Sequence, residues 1–541
     1  MSQAVKSKTY FQDLREYIST LEENDLLYRI SEPVNKDTEL MPLVRWQFRG
    51  LPESQRKAFL FEKVTDSRGR QYQTPVAVAV TAISRKMYAL GMGCEETETA
   101  DRWVEARNKP IPPEVIPNGP VHEEVHLTAD FEREHGGLDE FPIPISTPGF
   151  DPAPFLTAAC WVSKDPETGI RNLGTYRAQI KAPDKTGLLA YAQTDLIILI
   201  RRARRAGVKA LPIAGVLGCA PNVCMASAAK LPLEVDELAV AGGLSREPLP
   251  LVKCKTVDLE VPATAEIVIE GEIPIDYLEP EAPFGEYTGY LGLRGMAFVV
   301  RVKAITHRKD PITQVFISQM PPSESSKLRQ IAYESNYYKF LRYDCHNVGV
   351  KQVSFHEMGG SHEVIAIRVA KEDPAQAWQA LYAAASFSPT YGKIIIAVDE
   401  DIDPTDAESI FWAMSFALNP ERDIRFVTGK GSNLDPASAP PGATAEEKYF
   451  PGPTGLSAVL IDATRKHAYP PVSLPKKEYM ERAKEIWERC GLPPLTPRVP
   501  WFGYPLGDWP EDSEEDARRA VDGRYYETGK RLGEEGIQAE I

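Results

Sequence analysis

Apolar positions fall at helical spacing near the start of the chain. Leu14, Tyr17, Ile18 and Leu21 share one face of the segment 11–23, which predicts an amphipathic helix as the first element. Between 58 and 92 the pattern changes to short apolar runs (AFLFEKV, TPVAVAV) separated by polar breaks and followed by a helix, so residues 1–120 read as a small α/β unit. Pro-rich segments at 110–120 and 142–154 mark the next boundary. From 155 to 320 the β-rich strings FLTAACWVSKD, IVIEGEIPI, AFVVRVKAITH and ITQVFIS, with frequent turns, predict an antiparallel sheet or barrel with inserted helices, the expected ligand-binding centre. Beyond 321 a helix (SSKLRQIAYESNYYKFL), a strand (HEVIAIRVA), a helix (PAQAWQALYAAAS) and a strand (KIIIAVD) alternate as in an α/β domain. KKEYMERAKEIWERCG reads as a helix ended by Gly491, and the Glu- and Arg-rich end as a solvated or partner-bound helical tail.

Size and charge narrow the classes. A chain of 541 residues exceeds what one core fills, so two or three domains are expected. With 43% apolar and 26% charged residues it has the composition of a folded globular protein. The strongest apolar stretch, 196–200, runs into Arg201 and Arg202, far short of the roughly 20 residues a membrane helix needs, so no span is expected. The N-terminus lacks a secretory pattern and the seven cysteines lack the spacing of a disulfide framework, which fits a cytoplasmic protein. A net charge of −15 disfavours nucleic acid and anionic lipid. The basic run RRARR at 201–205 reads as the solvated face of a helix over 194–206 stopped by Gly207, or as a dock for phosphates such as those of a CoA ester.

The candidate chemistry lies mostly in the middle. In PEAPFGEYTG (280–289), Glu281 and Glu286 flank a Pro-Phe-Gly turn. Five apart on a regular strand they would face opposite sides, but Pro283 and Gly285 break that regularity and let them converge. Two neighbouring carboxylates can split their proton affinities into a donor and an ionised partner; the alternative is a surface turn with solvated acids. Arg177, in RNLGTYRAQ, is suited to bind a carboxylate or to form a surface ion pair. HEEVH at 122–126 matches the zinc-protease pattern, yet Val121, Val125 and Leu127 around it read as an extended segment, so the match is taken as coincidence. Cys219 and Cys224 lack a second pair and are expected as buried structural thiols, and GKGS at 429–432 lacks phosphate-loop spacing. An oxygen-rich site of Asn, Asp and Glu would suit Mg, Mn or Fe(II), but spacing alone does not single one out.

Together and in this order the pieces resemble the UbiD family of decarboxylases. The match rests on E-x-P-F-G-E at 281–286, preceded by VKCKTVDLEVPATAEIVIEGEI (252–273), on Asn172-x4-Arg177, and on IDATRK at 461–466. It is dense over 155–320, thinner over 390–467 and weak over the first 120 residues. The resemblance implies a multidomain α/β and α+β protein in which a central split β-barrel flavin-binding domain (126–320) is flanked by an N-terminal α/β domain (1–125) and a C-terminal α/β oligomerisation domain (321–500), with a helical tail at 501–541. It implies reversible non-oxidative decarboxylation of an aromatic or α,β-unsaturated acid with prenylated FMN, which a flavin prenyltransferase supplies, together with a divalent metal (Mn, Fe or Mg) and potassium. Such a cofactor is needed because loss of CO2 from an sp2 carbon leaves a carbanion that ordinary side chains do not stabilise.

By the same resemblance Arg177, Glu281 and Glu286 are the catalytic set. Asn172, Leu173, Thr175, Arg177, Thr194, Ser227 and Lys393 bind the cofactor. Asn172, Glu237 and Asp195 hold the metal, Asp195 standing where the family usually has histidine, next to Gln193 and Thr194. Ala417 replaces a usual arginine. The substrate is a free aromatic acid or an aromatic acyl-CoA such as phthaloyl-CoA, set by side chains in the 290s, the 320s and the loop 428–455, with Arg294, Lys327 and Arg329 as candidate anion contacts or plain surface charge. A homo-oligomer, dimer or hexamer, is implied. Two competing readings are an FMN oxidoreductase on a split barrel, which has no use for the Glu-Arg-Glu set, and a non-catalytic flavin-binding subunit, which would tolerate its loss.

Overall fold

The structure, a computed structural model, describes residues 10–131, 135–190, 194–292, 294–430, 434–437 and 457–536. The first helix spans Leu14–Glu23, capped by Asp13, whose carboxylate accepts the Glu16 N–H at 2.8 Å, and the four apolar residues at helical spacing are buried. It packs against a five-stranded sheet whose main order is Leu27–Asn35, Ala58–Thr65, Val76–Val78 and Thr313–Val315, with Gln71–Tyr72 at the side. The last strand comes from far along the chain and pairs parallel with Val76–Val78, so the segment leaving the barrel returns to complete the N-terminal sheet.

The centre is a curled ten-stranded sheet. Its path runs Phe155–Leu156, Ala178–Ala182, Lys185–Leu188, Gly295–His307, Ile267–Pro274, Ala210–Leu217, Cys160–Lys164 and Arg171–Thr175; Glu124–Leu127 and Leu278–Glu281 join the long strand Gly295–His307. Both faces are apolar. Trp161, Ile213 and Ile269 pack with Leu196, Leu199 and Ile200 of the helix Asp195–Arg205, whereas their neighbours Val162, Ala214 and Val268 pack with the buried helices Pro221–Ala228 and Glu237–Ser245. Alternate side chains of a strand point to opposite faces, so two cores flank one sheet. Arg202, Arg204 and Arg205 pair with Asp165, Asp276 and Glu167, which makes RRARR an ion-paired helix face.

The C-terminal sheet runs Val350–Phe355, Val364–Val369, Ile394–Asp399, Ser457–Ala463, Ile424–Thr428, with the three middle strands parallel. The helices Glu324–Lys339 and Ala375–Phe387 are those expected from the sequence, but the strand Val350–Phe355 was not: VKQVSF is short, and its apolar positions do not alternate cleanly. The tail helices Lys477–Arg489, Glu511–Val521 and Tyr525–Glu534 bury no residue. Among the described residues no helix is long and apolar enough to cross a membrane.

Candidate active site

The strand Leu278–Glu281 pairs with the start of Gly295–His307 and delivers Glu281 at its end. The chain then turns back on itself, the Glu286 N–H donating to the Tyr290 carbonyl (2.8 Å) and the Gly292 N–H to that of Phe284 (2.8 Å). A Cβ on Gly285 would lie 2.5 Å from Gln319 Cγ, so this turn needs glycine to close. Arg177, between the strands Arg171–Thr175 and Ala178–Ala182, reaches across. Its Nε and Nη2 donate to Glu281 Oε2 (3.2 and 2.9 Å) and its Nη1 to Glu286 Oε1. The guanidinium sits 5.1 Å above the Phe284 ring, which Phe155 supports at 4.4 Å.

All three charged side chains are largely buried. Burial raises the Glu281 pKa against the opposing pull of Arg177, and Glu281 Oε1 is buried with no hydrogen-bond partner among the described residues. A buried carboxyl oxygen left unpaired is costly unless a proton or a ligand donor meets it, so this corner of the cluster suits a bound reactant.

A residue that the sequence did not mark stands beside the cluster. Asp151 is buried, its Oδ2 accepting the Thr147 N–H at 2.7 Å. Burial pushes its pKa up to about 6, opposed by Thr147, the Gln319 amide and the Arg177 charge. It is the group near Arg177 whose charge changes just below neutrality. The pH profile of kcat/KM is expected to show a limb near pH 6 that Asp151→Asn removes; a limb kept in that variant would assign it elsewhere. Phe284 and Tyr287 were within the quoted motif but not singled out. Tyr287 OH donates to Glu363 Oε1 at 3.1 Å, and the ring lies under Arg329 (5.0 Å). Gln319 adopts φ 79°, a left-handed conformation that no sequence pattern announced.

A second acidic site lies on the strand Arg171–Thr175 that leads into Arg177. Glu237, the first residue of its helix, accepts the Leu173 N–H at 2.8 Å and the Asn172 amide at 3.4 Å. Burial, reinforced by the charges of Asp195 and Asp236, raises its pKa to about 8. Asp195 opens the helix that Thr194 caps and takes the Lys230 ammonium at 3.0 Å. Asn172, Glu237 and Asp195 are thus brought into one electrostatic neighbourhood of hard oxygen donors, and the burial strain on Glu237 is what a divalent cation would relieve. Ser227 lies close to this strand, its Oγ 2.7 Å from Thr175 Oγ1 and 3.2 Å from Cys160 Sγ. Lys393 stands apart: it precedes the strand Ile394–Asp399 and pairs with Asp435 Oδ2 at 2.5 Å.

Of the anion contacts expected from the sequence, Lys327 must be corrected. Its side chain is 3% exposed and locked between Glu53 (2.7 Å) and Glu357 (3.1 Å), partners too distant in sequence to foresee. Arg294 is exposed. Most of the loop 428–455 lies outside the described residues, as does Gln193. Lys430 of GKGS is buried and donates to the Ala385 carbonyl at 2.7 Å. In HEEVH, His122 ends a short turn and His126 sits on the strand Glu124–Leu127, so the extended reading holds. His126 instead stacks on His135 (4.1 Å) and His307 (5.2 Å), and burial lowers the pKa of His135 to about 4. Cys219 and Cys224 are free and buried.

A buried acid–arginine–acid cluster and a separate group of oxygen donors thus lie on one barrel, an arrangement suited to proton transfer beside a bound group. Three domain models described as those of 3-octaprenyl-4-hydroxybenzoate carboxy-lyase match in order: the N-terminal domain at 18–107, the Rift-related domain at 114–321 and the C-terminal domain at 328–463. A phenolic acid decarboxylase of Bacillus subtilis (strain 168) is 30% identical over 495 residues, covering 88% of this chain and all of that protein. The UbiD-class enzyme HmfF from Pelotomaculum thermopropionicum, solved with FMN, is 31% identical with a TM-score of 0.75, over 87% of this chain and 99% of its own. The closed form of vanillic acid decarboxylase from Sedimentibacter hydroxybenzoicus is 26% identical with a TM-score of 0.75, over 88% and 99%. The chain belongs to the UbiD family of carboxy-lyases.

Proposed function

We propose that the protein removes CO2 from an aromatic or α,β-unsaturated carboxylic acid with prenylated FMN as cofactor. The observation that carries this reading is Arg177 bridging Glu281 and Glu286 in a buried cluster. HmfF has been solved with prenylated FMN as well as with FMN, and the curated and solved relatives include phenolic and vanillic acid decarboxylases, which favours an aromatic acid. When bound, prenylated FMN supplies the electron sink that side chains lack. Asn172, Leu173, Thr175, Arg177, Thr194 and Ser227 would bind it, with Lys393 for the phosphate; Asn172, Asp195 and Glu237 would hold a divalent Mn, Fe or Mg, and potassium would be a further ion.

Glu286 holds the proton that replaces CO2 on the substrate carbon. Arg177 fixes that carboxyl in place and shares its charge with Glu281, whose unpaired Oε1 gives the relay a second proton position. A free aromatic acid is the first substrate and an acyl-CoA such as phthaloyl-CoA the second. A flavin prenyltransferase supplies the cofactor, and the enzyme is placed in the cytoplasm on its cysteine pattern. The exposed Phe411, Phe416 and Phe426 of the C-terminal module favour contact with a second copy in a homo-oligomer.

The test is co-expression with a flavin prenyltransferase, followed by a spectrum of the purified protein and CO2 release from a panel of aromatic acids and their CoA esters. Modified flavin with CO2 release is expected. Unmodified FMN and no release from any acid would favour the oxidoreductase reading.

A further inference from the structure

A cavity of about 640 Å³ opens between the helix Leu40–Gly50, the turn at 146–150 and the turn that carries Glu286. Gly285, next to Glu286 in the chain, and Gln319 form its inner wall, so the turn that carries Glu286 borders it. Its sides are apolar, from Met41, Tyr290 and Met320, wide enough for an aromatic ring. The charged side chains among its lining are two arginines, Arg45 and Arg49, one turn apart on the helix, and no acid lines it among the described residues.

These arginines differ from three other cations near the site. Arg177, Arg85 and Lys327 each face carboxylates. Arg45 is instead held by carbonyls, Nη1 on Met320 O at 2.9 Å and Nη2 on Ser318 O, and Arg49 Nη1 reaches only Pro321 O at 3.4 Å. A carbonyl orients a guanidinium without cancelling its charge, and five N–H donors leave each arginine with hydrogen-bonding capacity to spare. Burial, and after it the neighbouring Arg49, lowers the Arg45 pKa to about 10. Two like charges one turn apart, Arg45 half-buried and Arg49 exposed, are stabilised when an anion enters.

Building on the decarboxylase reading, we propose that Arg45 and Arg49 bind a second anionic group of the substrate, at the end remote from the carboxyl that leaves, so that the preferred substrates are aromatic acids carrying a further negative charge. The ring then lies between Tyr290 and Met320. The anion is a second carboxylate, or a phosphate carried on a CoA ester.

The test compares benzoate, terephthalate and phthaloyl-CoA as substrates of the flavin-loaded enzyme and of its Arg49→Gln, Arg49→Lys and Arg45→Lys variants. Loss of one charge-assisted contact is expected to lower the ratio of kcat/KM for terephthalate over benzoate by about 10- to 100-fold in Arg49→Gln, with most of the change in KM and partial rescue in Arg49→Lys. Dependence on the arginines with terephthalate assigns the anion to a carboxylate; dependence with phthaloyl-CoA alone assigns it to phosphate. An unchanged ratio, with phthaloyl-CoA equally indifferent, overturns the inference while leaving the decarboxylase reading intact. Where no acid releases CO2, that reading fails by itself. Calorimetric titration of the protein with terephthalate then decides the site: binding weakened at least about tenfold by Arg49→Gln upholds it, and equal or absent binding sinks it.

Discussion

Glu286→Gln is expected to lower kcat for decarboxylation by about 100- to 10,000-fold, the usual contribution of a positioned proton donor. The substitution keeps size and shape, and the amide oxygen still accepts from Arg177 Nη1, so the turn closed through Tyr290 and Phe284 keeps its form. What goes is the exchangeable carboxyl proton. Flavin binding, read from the spectrum, and substrate affinity should therefore stay close to those of the parent protein while turnover and solvent-deuterium incorporation into product fall together. Arg177→Lys tests the other half of the relay: an ammonium cannot bridge Glu281 and Glu286 with a planar fork, so it should lose much of the same activity. A Glu286→Gln protein of full activity would remove Glu286 from the chemistry and leave Glu281 or Asp151 as the donor.

The acid pair of the cluster was legible because it is local, whereas Arg177 was joined to it only by the family resemblance. Pro283 and Gly285 between two acids announce a turn that brings them together, and the structure closes that turn on Gln319. The oxygen-donor site was not legible in this way: Asn172, Asp195 and Glu237 come from a strand and two different helices, and only resemblance to a family joined them. Lys327 shows the opposite failure. Its spacing within a helix said nothing of Glu53, from the N-terminal part, or of Glu357, past the end of that helix, which pair with it. The arginine pair escaped for the same reason, since the Ser318, Met320 and Pro321 carbonyls that hold Arg45 and Arg49 come from far along the chain. Periodicity finds elements, but tertiary packing decides which charges become tools.

The junction that sets this packing gives the second large effect. Glu266, with its side chain wholly buried, accepts Arg15 Nε and Nη2 at 2.8 Å each, the Ile312 N–H at 3.0 Å and Arg308 at 3.4 Å. One carboxylate thereby joins the first helix, the barrel and the segment that enters the strand Thr313–Val315. Glu266→Ala is expected to destabilise the protein by up to about 3–5 kcal/mol, the cost of breaking a buried ion pair, lessened because Arg15 is partly exposed and Arg308 keeps Asp13. Glu266→Gln, which keeps acceptors for one arginine and for Ile312, should cost less. Because a chain of several domains need not unfold in one step, the measurement is the first transition in urea together with amide exchange in Leu14–Glu23, where protection should fall before the barrel is affected. Loosening that seat also frees the helix Leu40–Gly50 against the turn at 285–291, so KM for an aromatic acid should rise with little change in flavin content. A Glu266→Ala protein within about 1 kcal/mol of the parent would place the cluster with solvent-screened surface pairs and separate the N-terminal domain from the geometry of the site.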